Sequence, residues 1–138
     1  MIAPRQGAIK GSGGNLTVDY SFLNAASVLF DAVFVPGGEK SVEALAGEAD
    51  ALLFVREAYK HCKAIAAVGA GVGLLITAGL GDTGAAEGNG QPAPAMSADE
   101  AIAVGTDAEL AKVAARFICA IGRHRNWDRE PAAKRVPV

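Results

Sequence analysis

The side chains of this chain best suited to chemistry are Cys62 and Cys119, His61 and His124, and two carboxylates in a glycine-rich stretch, Asp82 and Glu87. A thiolate beside an imidazole makes a nucleophile, and Cys and His at short spacing hold zinc. The spacing here delivers neither arrangement. The two cysteines lie far apart and match no C-x-x-C or Cys/His metal pattern. Cys62 falls on the apolar stripe of an expected helix, where a thiol packs as a small apolar group and stays protonated. Cys119 lies opposite the Phe117/Ile121 stripe of another helix, on a face left for solvent or an interface, with no activating base nearby in sequence. His61 belongs to a polar helix face beside Lys60 and Lys63, and His124 sits between Arg123 and Arg125, placed to cap the last carbonyls of the final helix. Asp82 and Glu87 have no scaffold to hold them. No catalytic, cofactor-binding or metal residue emerges from this set.

The stretch AIAAVGAGVGLL, residues 64–75, has the grammar of an enzyme without the side chain. An apolar strand breaks at Gly69-Ala70-Gly71 and resumes at once as a helix, the layout of a turn that presents a nucleophile near a helix N-terminus. Only glycine and alanine occupy it. The dinucleotide pattern G-x-G-x-x-G fails because Leu74 stands where the third glycine belongs, and starting from Gly71 leads to Ile76; no G-K-[S/T] follows either. Free N–H groups at such a turn can seat an anion. The plainer role for the glycines is close packing of helix on sheet.

The elements that would position these residues alternate. Residues 8–10 and 16–18 flank a glycine-rich loop and predict a hairpin. Asn24 is placed to cap a short helical turn over 25–30. Residues 31–35 are a bare apolar strand stopped by Pro36-Gly37-Gly38, suited to a parallel sheet covered on both faces. Helices are expected at 41–46 and 48–62, then strand 64–68, the elbow, and a helix to about residue 78. Residues 79–97 lack periodicity and read as a flexible loop, and 101–104 is another strand. Asp107 is placed to cap a last helix whose Leu110, Val113, Ala114, Phe117, Ile118 and Ile121 make one apolar stripe. The tail, 123–138, is polar and expected to be extended. Strand and helix in turn argue an α/β domain with a parallel sheet, a single domain over 1–138.

Composition narrows the class. The 138 residues are 51% hydrophobic, 20% charged and only 6% aromatic, with a formal net charge of −2, which describes a globular protein without a nucleic-acid footprint. The longest apolar stretch is cut by glycines and too short to span a membrane. No secretory signal is visible, and a reducing cytoplasm is the expected compartment.

Three phrases together carry a family resemblance: SFLNAASVLFDAVFVPGG, FVREAYKHCKAIAAVGAGVGLL and FICAIGRHRNWDRE. The chain resembles the C-terminal domain of large-subunit haem catalases, itself similar to the PfpI-type, glutamine-amidotransferase-like fold. The resemblance implies a flavodoxin-like three-layer α/β sandwich. Active members of that superfamily carry a pattern of the type A-I-C-H-G at the elbow. Aligned on residues 65–68, Gly69 stands at the cysteine position and Ala70 at the histidine position, with Gly71 retained. The resemblance therefore implies an elbow stripped of its chemistry. It also implies a parent that disproportionates hydrogen peroxide on a haem held by a separate barrel domain, none of whose haem ligands has a counterpart in these 138 residues. The family's domain opens with a strand and helix, and residues 1–5 look like the end of its second strand, so the first strand and helix are expected to lie outside this chain. The implied service is stability, assembly or access to the haem. Expected partners are the catalase barrel domain or the segment supplying that strand, with self-association through residues 31–35. Two other functions stay open: a PfpI-type hydrolase or glyoxalase using Cys62 or Cys119, and a chaperone-like binding module.

Overall fold

The computed structural model describes residues 1–11, 13–81, 99–134 and 136, so Asp82, Glu87 and all but the start of the expected loop lie outside the described residues. In chain order the elements are β1 (Ile2–Ala3), β2 (Gly7–Gly11), β3 (Gly14–Val18), β4 (Tyr20–Ser21), a 3-10 turn at Ser27–Leu29, β5 (Ala32–Val35), α1 (Glu39–Ala46) and α2 (Ala49–Lys60). There follow β6 (Ala64–Val68), α3 (Gly71–Thr77), β7 (Ile102–Gly105), α4 (Leu110–Gly122) and a short α5 (Glu130–Ala133), the last two joined through a 3-10 turn at Trp127–Arg129.

The centre is a parallel sheet of order β5-β6-β7. Ala32 pairs with Ala64 and Val35 with Ala67, while Ile65 pairs with Ile102 and Val68 with Gly105. β6 is apolar at every position because it is central and covered on both faces; all five residues are buried. Alternate side chains serve alternate layers. Val35, Ile65, Ala67 and Ile102 meet the buried faces of α1, α2 and α3. Ala66, Val68 and Ala103 meet Val113 and Phe117 of α4 on the other side. The result is a helix–sheet–helix sandwich of the flavodoxin-like kind.

Several local readings change. Asn24 does not cap the 3-10 turn; its Oδ1 accepts from the Ser21 N–H at 2.8 Å and closes the preceding turn. Nor does Asp107 cap the last helix. Thr106 caps the 3-10 turn Asp107–Glu109 that leads into that helix, its N–H and hydroxyl both donating to Glu109 Oε2 at 3.0 Å. The apolar stripe of α4 is split: Val113 and Ala120 are buried, whereas Leu110, Ile118 and Ile121 are exposed. Among the described residues the three-stranded sheet beneath α4 is too narrow to cover a stripe so broad. The strand at 31–35 is likewise not covered on both faces, since β5 is the sheet edge and Phe34 is 42% exposed. The tail is not extended through residue 134, because Arg129 and Ala133 are buried and pin it to the body.

Candidate functional site

Parallel strands gather their carboxyl ends on one side of a sheet, and sites in such folds form there. At that end Gly69 leaves β6 with φ +50°, its N–H donating to Gly105 O at 2.9 Å. Val72 N–H then donates to Gly69 O at 3.2 Å, opening α3. The strand, turn and helix thus have the strained layout that makes a nucleophile elbow, and a residue with a side chain is disfavoured at this φ. Gly71 is fixed by proximity instead: a Cβ there would lie 2.7 Å from Val35 O and 2.9 Å from Pro36 O, so the first turn of α3 rests directly on the end of β5.

The space above the elbow is filled from another element. Asp107, in the turn that leads into α4, directs its carboxylate over the glycines. A Cβ on Gly69 would lie 2.5 and 2.7 Å from its two oxygens and 2.8 Å from its Cγ. A Cβ on Gly37, after β5, would collide with the same carboxylate and come within 2.9 Å of Val68 O. Three loops therefore interlock where an enzyme of this layout would receive substrate. Ala70 offers only a methyl group beside Gly69, so the two elbow positions themselves supply neither nucleophile nor base, and the carboxylate over them comes from Asp107.

The other sequence candidates are scattered. Cys62 is not on the helix stripe but beyond the end of α2, buried, with φ 56°. It precedes β6, so the whole strand, about 16 Å, separates it from the elbow. Burial pushes its thiol pKa up, the opposite of what a nucleophile needs. Cys119 is exposed on the outer side of α4. His61 is exposed just past α2. His124 does not cap with its ring: it takes φ 64°, and its backbone N–H donates to Ile121 O while the side chain stays in solvent. No two of these residues form a catalytic pair. Among the described residues no group of three or more His, Cys, Asp or Glu could hold a metal ion, and no helix is long and apolar enough to cross a membrane.

The polar centre of the molecule is structural and sits at the amino end of the sheet. Arg129, its side chain wholly buried, donates from Nε to Asp99 Oδ2 at 2.5 Å and from Nη2 to Asp99 Oδ1 at 3.1 Å. Its Nη1 donates to Lys63 O at 2.7 Å, and its guanidinium lies 4.6 Å from the centre of the Tyr59 ring. Asp99 Oδ1 also accepts from Ala101 N–H and from Asn126 Nδ2, both at 2.9 Å. Lys63, just past the expected helix 48–62, is fully buried and donates from Nζ to Ser27 O and Phe30 O at 2.5 Å each. Sequence reasoning missed this centre. Its one available signal was the phrase RNWDRE, whose Asn126 and Arg129 are the anchors.

Comparison with known proteins gives a consistent set of matches. Residues 2–131 match the family described as the C-terminal domain found in long catalases. Catalase HPII of Mycobacterium avium is 43% identical over 123 residues, 89% of this chain and 17% of that protein. Catalase-1 of Neurospora crassa is 34% identical over 143 residues, covering 94% of this chain and 19% of that protein. Catalase C of Rhizobium meliloti is 35% identical over 135 residues, 97% of this chain and 17% of that protein. The chain therefore spans less than a fifth of the length of each of these relatives.

Proposed function

Because the chain belongs to the family of C-terminal domains found in long catalases, we propose that it is a non-catalytic domain of such an enzyme, whose peroxide chemistry is performed by residues outside it. It serves the stability or assembly of the enzyme, or shapes access to its haem. The observation that carries this reading is the elbow, where Gly69 replaces the nucleophile and the Asp107 carboxylate takes the space. Haem itself does not fit the cleft beside Arg129. A haem needs an apolar slot and an axial ligand. The cleft of about 380 Å³ beside Arg129 is lined instead by Asp99, Glu100, Asn126 and Asp128, and the Tyr59 ring there already packs under the guanidinium. The superfamily's hydrolase activity finds no support either, with Cys62 buried and Cys119 exposed on α4, away from the elbow. The test is a chimera in which this chain replaces the matched region of the Mycobacterium avium relative. It should break down peroxide with the parent's resistance to heating, while deletion of the region shortens the half-life. Esterase or methylglyoxal turnover by the isolated chain would overturn the reading.

The partner follows from the open side of the sheet. Among the described residues β5 is an unpaired parallel edge, Phe34 meets Phe117 at 6.2 Å between ring centroids, and Ile118 and Ile121 continue the apolar surface along α4. A further strand beside β5, followed by a helix beside α4, would cover all of it. The rest of the polypeptide supplies that unit; where it is lacking, copies of the chain associate through the same edge. Both cysteines are free thiols, which supports a reducing cytoplasm as the site of action.

A further inference from the structure

We infer that the β2–β3 ribbon is a docking arm whose apolar face lies on the catalase core of the longer polypeptide, an inference that rests on the functional reading above. Every residue of β2 is exposed, and in β3 only Val18 is buried. The antiparallel register sets Ile9 opposite Leu16, with the Gly7–Val18 and Gly11–Gly14 pairs on the same face. The other face carries Ala8, Lys10, Asn15 and Thr17. The ribbon is thus amphipathic, and beyond Val18, which is buried at its root, the apolar face is bare, with Ile9 44% and Leu16 56% exposed. That face is also open at its glycines: a Cβ on Gly7 or on Gly14 would meet nothing within 4 Å.

The root, by contrast, is fixed. β1 and β4 pair in parallel across it, the Asp19 and Tyr20 N–H groups donate to Met1 O at 3.0 and 3.2 Å, and Gln6 Nε2 donates to Asp19 O at 2.8 Å. A two-stranded ribbon is marginally stable alone in water, so a bare apolar face on a clamped arm calls for a cover. A second copy does not suffice. The ribbon face measures on the order of 200 Å² from its strand dimensions, against about 800 Å² per partner in a stable interface. A surface on the same polypeptide needs far less area, because the covalent link supplies a high effective concentration. The relatives have more than four-fifths of their length outside the match, ample chain to provide it. The occupant is accordingly an apolar strip of the catalase core.

Hydrogen exchange on the chimera with the Mycobacterium avium core, compared with the free chain, tests this. The amides of residues 7–11 and 14–18 should exchange at least about tenfold more slowly in the chimera. The double variant Ile9→Asp/Leu16→Asp should restore the free rate in the chimera, while the melting of the isolated chain stays unchanged. Slowing at β5 and α4 with an unaltered ribbon would overturn the arm and leave the domain reading intact. No slowing anywhere in the chain would overturn both.

Discussion

Restoring a side chain at the elbow should cost stability in two separable parts. Gly69→Ala places a Cβ on a residue at φ +50°, a conformation that costs a non-glycine residue roughly 1–2 kcal/mol. The new Cβ also lies 2.5–2.8 Å from the oxygens and Cγ of Asp107, so that carboxylate must leave its seat. Overpacking of this kind costs about 1–3 kcal/mol. The sum is about 2–5 kcal/mol, a large part of a domain's margin. Asp107→Ala removes only the collision. In a double-mutant cycle by urea unfolding, Gly69→Ala should therefore be milder by about 1–3 kcal/mol in the Asp107→Ala background, with the residual cost left by φ. Additive effects would refute the interlocked elbow, and an unchanged midpoint in Gly69→Ala alone would refute the strain as well.

Other expectations follow from the buried centre and the open edge. Arg129→Ala leaves the Asp99 carboxylate buried without its cation and should destabilise by about 3–5 kcal/mol in urea unfolding. Burial holds the Lys63 ammonium below its usual 10.5. The unfolded chain then binds that proton more tightly, so stability rises with pH through the window just under 10.5. Lys63→Met should flatten the rise, and an unaltered slope in unfolding measured across that window would refute the assignment. The isolated chain exposes a few hundred Å² of apolar surface around Phe34, Ile118 and Ile121, worth several kcal/mol at about 25 cal/mol per Å². Light scattering should show association that Ile118→Glu/Ile121→Glu reduces, and a sharp monomer at all concentrations would contradict it.

How legible was all this in the sequence? The central strand was, because residues 64–68 are apolar without a break and end on a glycine turn. The parallel sheet followed from alternation, and the hairpin from its glycines. Periodicity failed on α4: it counts Val113 and Ile118 alike, although only one of them has a sheet beneath it. Side chains that bridge distant segments were invisible. The burial of Lys63 left no trace in the sequence, because its acceptors, Ser27 O and Phe30 O, are more than thirty positions away. Asp107 looked like a helix cap, because its true neighbours, Gly37 and Gly69, come together only when three strands align. Local pattern reports elements well and reports long-range polar contacts hardly at all.

The most direct measurement is oxygen release from hydrogen peroxide by the purified chain after incubation with haem, followed together with the absorption of the haem. No stoichiometric Soret band and no oxygen above that given by free haem is the expected result. A stoichiometric band accompanied by catalytic oxygen release would contradict the claim that the chemistry lies outside these residues.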